Sequence, residues 1–342
     1  MELKIMPANA AEIIWQWSVW DHLIQDTDPA LPDYGSIADH PERIDINYIG
    51  EGHDTEGNWL HVNAIAYHAE LNQIVISSRN LSEIYVIDHS TNTAEAATHE
   101  GGRYGKGGDI LYRYGNPQVY DRGTIDDQQL RGQHDIRWLP EGHSHAGAFM
   151  VFNNEYLPDQ QSRVQIFNNP ATAEGLYFFD ATNGYGPDTL LRSFTMPGLY
   201  SDILSGAQAL PNGNLLILEG RSGHLREIND EDEVVWEYIY PVNRNGGPGI
   251  QGGEPRFNLL FRSKRYAPDF VGFADKNLSP TVPIELSPDE SNCTIFSNTT
   301  PTKSAVATNQ DIVLRSRSIR NVLHIENKTA HKLTMELYQL NG

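Results

Sequence analysis

The sequence predicts an all-β fold, and within that class a β-propeller of about three to four blades followed by a small C-terminal β-sandwich-like segment. Three observations carry this reading. Short runs alternate apolar with polar residues and are cut by Gly, Asn, Pro and Asp; sustained helical spacing is scarce; and one strand–turn–strand segment occurs three times.

The runs "IIWQW", "IYVID", "ILYRY", "LLIL" and "VVWEY" are rich in aromatic and β-branched residues, which pack well on a pleated surface. The 29 glycines and 19 prolines supply the turns between them. Taken in order, "AAEIIWQWS" reads as the last strand of a blade whose earlier strands are not in the sequence. Residues 19–60 hold few alternating runs and many turn formers, and read as an insertion between blades, of the kind that covers something. The repeats follow at equal intervals: "NAIAYHAELNQIVISSR" from Asn63, "HDIRWLPEGHSHAGAFMVFNNE" from His134 and "SGAQALPNGNLLILEGR" from Ser205. Outer runs such as "GGDILYRY" and "EDEVVWEY" close each unit. Sheets that recur in this way bury their faces against one another in a propeller, whereas a sandwich needs no repeat. Three units and a remnant fall short of the roughly four to eight blades of a closed ring, so an incomplete copy is expected. The propeller domain spans residues 1–275, a Ser-, Thr- and Pro-rich linker with first strands spans 276–310, and strand alternation resumes at 311–342.

Composition narrows the function. With 39% hydrophobic residues in 342, the chain can build a real core. Its net charge of −20, from 45 acidic and 25 basic side chains, repels phosphate backbones and anionic membranes, so nucleic acid is not the expected partner. No apolar run approaches the roughly 20 residues that span a bilayer, and "MELKIMPANAAEIIWQW" lacks the pattern of a signal peptide. The single Cys293 cannot close an intramolecular disulfide and says nothing about compartment. No phosphate-cradling G-x-x-x-x-G-K-[ST] loop occurs. The sequons "NLS", "NCT", "NTT" and "NKT" are of a kind that chance readily supplies.

The innermost strand of each propeller blade lines the channel, so equivalent positions converge on its mouth. The repeats put Asn63, His134 and Ser205 at one such position, with His61 beside it, and put Arg79 and Arg221 together at the turn leaving the second strand. Polar groups here either satisfy loop backbone or hold a ligand. Two imidazoles and a guanidinium suit a tetrahedral anion: Arg donates in a fork, and a neutral His attacks or shuttles a proton. They suit a metal poorly, because no carboxylate accompanies the histidines and Arg79 opposes a cation, so no cofactor is expected. His143 and His145 in "HSH" have the look of a ligand pair, but fall at the tip of a turn.

The blocks "WQWSVWDHLIQD", "YGSIADHPERIDINY", "NWLHVNAIAYHAELNQIVISSRNLSEIYVID", "QHDIRWLP" and "SGAQALPNGNLLILEGRSGHLREI" resemble the bacterial arylsulfate sulfotransferase family over roughly residues 10–273. The resemblance implies a six-bladed propeller that moves a sulfuryl group from an aryl sulfate ester to a phenol through a sulfohistidine, without a nucleotide donor. His134 in "QHD" then matches the histidine that becomes sulfated, and His61, Asn63 and Arg79 match groups that hold the sulfuryl oxygens. The family has a further active-site histidine in an earlier "HD" motif that no residue here matches; His22 and His40 lie in the insertion. The tail "NVLHIENKTAHKLTMELYQLNG" resembles the start of the C-terminal sorting domain of proteins exported by the type IX system of Bacteroidetes, which implies an extracellular or cell-surface location, with the periplasm as alternative. Two other readings stand beside the transferase: a non-catalytic secreted propeller used for binding or as a scaffold, and a hydrolase in which water replaces the phenol. The sequence sets no oligomeric state.

Overall fold

The computed structural model describes residues 1–6, 10–50, 57–154, 161–251, 253, 257–279, 284–288, 312–316 and 323–327. Three antiparallel four-stranded sheets form its body, each made of strands consecutive in the sequence. The first holds β5 (Val62–His68), β6 (Gln73–Ser78), β7 (Glu83–Asp88) and β8 (Tyr112–Tyr114). The second holds β9 (His134–Trp138), β10 (Phe149–Asn153), β11 (Arg163–Phe167) and β12 (Leu190–Phe194). The third holds β13 (Gly206–Ala209), β14 (Leu215–Glu219), β15 (His224–Ile228) and β16 (Val234–Ile239).

These sheets stack face to face, as propeller blades do. Successive strand residues point to opposite faces, so β6 sends Val75 towards the second sheet and Ile74 and Ile76 the other way. Likewise β10 sends Phe149 and Val151 to the first sheet and Met150 and Phe152 to the third. A strand covered on both faces reads as a continuous apolar run, and every residue of β6 and β10 is buried. Each such aliphatic or aromatic side chain contributes about 1.5–3 kcal/mol by leaving water.

The face of the first blade that carries Ile74, Ile76, Tyr85 and Ile87 is covered by Trp15, Leu23 and Ile44. Residues 19–50 thus lie against blade one, held by short β3 (Leu23–Ile24) and β4 (Ile44–Asp45), which pair in parallel. Arg113 fastens them to the blade: its Nη1 donates to the carbonyls of Pro41 (3.1 Å) and Arg43 (2.8 Å) while its fork engages Glu83.

The run expected to end an earlier blade forms β2 (Ala10–Trp15), paired antiparallel with β1 (Glu2–Met6). At the other end β17 (Ile312–Ser316) and β18 (Leu323–Asn327) pair antiparallel. Most of the expected linker at 276–310 and of the sorting-type segment at 311–342 lies outside the described residues.

Candidate active site

Two β-bulges shape the surroundings of His134 and Asn63. The β9–β10 ladder slips between Met150 and Phe152, where Asp135 takes φ 60°, a left-handed conformation that costs a non-glycine residue energy. Its carboxylate offsets that cost by pairing with Arg137, lying 3.1 Å from Arg262 Nε and accepting the Ala207 N–H at 3.2 Å. Gly206 makes room, since a Cβ there would come within 2.3 Å of Asp135 Oδ2. The second bulge falls at Asn63, between the Val62 and Ala64 rungs of β5, and His61 before it has φ 46°.

His134, immediately before the first bulge, is 2% exposed. Its Nδ1 lies 2.8 Å from Asn154 Oδ1 and 3.0 Å from the Gly132 carbonyl. The Asn154 amide donates to the carbonyls of Ser201 (2.7 Å) and Leu204 (3.0 Å), which leaves only its oxygen to face the ring. Both neighbours of Nδ1 are therefore acceptors, so Nδ1 carries the proton and the lone pair sits on Nε2. Burial pushes the His134 pKa down to about 4; Asn154 and the Gly132 carbonyl pull it up, and the electrostatic influence of the neighbouring Arg79 and His61 presses it further down. At neutral pH the ring is uncharged and presents a nucleophilic nitrogen.

Asn63 is tied to the same place: its amide donates to the Gln133 carbonyl at 2.7 Å, and its buried Oδ1 has no hydrogen-bond partner among the described residues. Gln133 in turn keys the second blade into the first through Ser77 Oγ and the Ser78 carbonyl. Arg79 donates from its backbone to the His61 carbonyl (3.2 Å) and from its guanidinium to Asn80 Oδ1 (3.1 Å) and the Asp202 carbonyl (3.3 Å). The fold therefore brings His134, Asn63, His61 and Arg79 together.

Ser205 and Arg221 are placed otherwise. The Ser205 hydroxyl is buried, accepting the Gly220 N–H and facing the Ile203 carbonyl. Arg221, with a side chain 50% exposed, forks onto the Asp202 carboxylate. Nor do Arg79 and Arg221 occupy equivalent positions, a correction to the repeat alignment. Ile74 stands opposite Tyr67 and Leu215 opposite Ala209, because the third blade's hairpin is one residue shorter, and this register sets Arg79 against Gly220. In the second blade, where Phe149 stands opposite Trp138, the same position is Asn154, which the repeat did not single out. The double asparagine of "FNNE" was its only sequence signal.

His143 and His145 are half-buried on their turn, with ring centroids 5.9 Å apart. His40 pairs with Glu42, and His22 with Asp109 and the Ala96 carbonyl. A cleft of about 440 Å³ adjoins His61, walled by Trp20 and Trp59, whose rings are 6.4 Å apart. A larger cavity of about 520 Å³, between Tyr120 and Tyr185, contains none of these residues.

Residues 5–244 match the family model described as arylsulfotransferase (ASST). Among solved structures the chain is similar to a streptogramin B lyase (14% identity, TM-score 0.31, covering 58% of this chain and 47% of that one). It is also similar to the virginiamycin B lyase of Staphylococcus aureus (14%, 0.27, 55% and 59%) and to a protein of unknown function from Bacteroides caccae (16%, 0.24, 56% and 63%). The chain spans about half the length of the first two. No curated protein matches it.

Proposed function

Because the chain belongs to the arylsulfotransferase family, we propose that it moves a sulfuryl group from an aryl sulfate ester to a phenolic acceptor through a sulfohistidine at His134. The observation that carries this reading is the state of that histidine: uncharged, with Nδ1–H held by Asn154 and the Gly132 carbonyl, and with Arg79 and His61 beside it.

In the first half-reaction the Nε2 lone pair attacks sulfur and the sulfur–oxygen bond to the aryl group breaks, releasing phenolate. The imidazole then bears the sulfuryl group on Nε2 and the proton on Nδ1, and the Asn154 oxygen faces the positive charge that develops there. Arg79 supplies positive charge to the sulfuryl oxygens, and His61 and Asn63 place an imidazole and a polar amide beside them. In the second half-reaction an acceptor phenol attacks sulfur and gives its proton to solvent water, the sulfur–nitrogen bond breaks with its electron pair returning to Nε2, and neutral His134 with its Nδ1 proton is restored. The Trp20–Trp59 cleft beside His61 offers flat apolar walls to an aromatic ring. The extracellular or cell-surface location suggested by the tail belongs to the same proposal.

The test is release of a coloured phenolate from 4-nitrophenyl sulfate with phenol as acceptor. The wild-type chain should transfer the group and His134→Ala should not, and labelled sulfate should be trapped on His134 when the acceptor is withheld. Phenolate release that survives His134→Ala would sink the mechanism. A wild-type chain with no release at all would instead favour a binding or scaffold role, for which the exposed Val62, Ile65 and Tyr67 of β5 offer a surface.

A further inference from the structure

His22 follows the short 3-10 turn Val19–Asp21 and is fully buried. Its Nε2 lies 2.8 Å from the Ala96 carbonyl and its Nδ1 lies 2.8 Å from Asp109 Oδ1. A carbonyl can only accept, so Nε2 carries a proton, and in the neutral ring Nδ1 then holds a lone pair aimed at a carboxylate oxygen. Two lone pairs at that distance repel, so something positive must lie between them. His99 Nδ1 approaches the same oxygen at 2.8 Å, its ring at 83° to that of His22, and the three donor atoms lie within 4.8 Å of one another.

We propose that His22 Nδ1, His99 Nδ1 and Asp109 Oδ1 bind a divalent cation of the zinc class. Two imidazoles and one carboxylate suit zinc and its d-block neighbours, whereas magnesium and calcium prefer oxygen alone. The support of the first ligand is of the kind metal sites use: the Ala96 carbonyl holds Nε2–H and thereby fixes the tautomer that offers Nδ1. Trp17 stacks on the same ring, 5.5 Å away and 4° from parallel, and its own Nε1 donates to the Gly108 carbonyl. Gly108 gives the ring its place, because a Cβ there would come within 2.5 Å of His22 Nε2. Asp109 is nearly buried while the His99 side chain is 45% exposed, so a fourth position opens to water. Ligand bonds of about 2.0–2.1 Å around a tetrahedral ion put donor atoms roughly 3.3 Å apart, so the two 2.8 Å contacts to Asp109 would open by about half an ångström while the two histidine nitrogens, within 4.8 Å of each other, would draw in around the ion.

The ion would join segments far apart in sequence. His22 belongs to residues 19–60, and His99 and Asp109 to the connection between β7 and β8. A cation there clamps the covering segment onto the first blade, independently of the chemistry at His134.

The full chain is loaded with zinc near neutral pH, dialysed against metal-free buffer and assayed for metal, and cobalt is titrated in parallel by visible absorption. About one zinc per chain should be retained, with a tetrahedral cobalt band and a Tm that a chelator lowers. His99→Gln, a change at a half-exposed side chain, should fold, lose the zinc and the band, and show a Tm indifferent to chelator. Should that variant fail to fold, the chelator's effect on the wild-type Tm and the wild-type cobalt band decide. Wild-type chain without stoichiometric zinc, or His99→Gln retaining as much as wild type, overturns the proposal and leaves His22 and Asp109 as a buried imidazolium–carboxylate pair.

Discussion

Asn154 is the residue whose role is least visible in the sequence and most specific in the structure. Its two amide protons are committed to carbonyls at 201 and 204, so its oxygen holds His134 in one tautomer. Asn154→Ala should lower kcat of sulfuryl transfer by about 10- to 100-fold, the usual scale for a group that orients an imidazole, while KM for the donor moves little. Asn154→Asp puts a negative charge against the ring and should raise the His134 pKa, moving the acid limb of the pH–rate profile upward from its expected place near 4. An unmoved limb would show that Asn154 does not act on the nucleophile. The same histidine shapes stability. In the unfolded chain it titrates near its ordinary 6.5, and in the folded chain at about 4, so between those values the unfolded state binds more protons. Stability is complete above about 6.5 and falls as pH drops towards 4, by on the order of 3 kcal/mol. Urea titrations of wild type and His134→Phe across that range measure the difference.

At the scale of the element, the feature that binds segment to blade is the Arg113–Glu83 pair between β8 and β7. Both side chains are fully buried. Burial pushes the Glu83 carboxyl up while Arg113 opposes that push, and Glu83 holds the guanidinium charged. Tyr85 donates its hydroxyl to the same carboxylate at 2.8 Å, so the acceptor oxygens are used. Removing one partner leaves the other charge buried and unmatched: Glu83→Gln should cost about 3–5 kcal/mol in urea unfolding. A cost below about 1 kcal/mol, the scale of an exposed pair, would mean that water reaches Arg113. The bulge at Asp135 is a second such feature. Gly206→Ala drives a methyl into its carboxylate and should reduce transfer activity more than it reduces Tm, because the displaced residue adjoins His134.

For the whole molecule, stability rests on blade-to-blade packing. Phe149 stands between the first two sheets, stacked with Tyr112 at 5.9 Å and near Phe167 at 5.4 Å. Phe149→Ala should cost about 3–5 kcal/mol. Because both sheets lose a common surface, probes in either blade should report the same shifted urea midpoint; a midpoint shift confined to one blade would show that the sheets unfold separately.

Alternation and the repeat were enough to identify the first two strands of each blade and the outermost strand of the first and third, because a pleated strand has only two faces and the apolar residues mark which are covered; β11, β12 and β15 were not singled out. The repeat likewise put Asn63 and His134 at equivalent strand starts, and the Asn63 amide meets the Gln133 carbonyl beside His134, since equal spacing in a stacked array becomes equal position in space. It could not place Arg221 or Ser205, whose partners depend on a hairpin one residue shorter and on loop carbonyls that carry no side-chain signature. Nor could it join Asn154 to His134, or His22 to His99 and Asp109. Those contacts arise from bulges and from segments packed against distant blades, and only the tertiary structure decides them, because hydrogen bonds depend on ångströms and angles that a residue pattern does not encode.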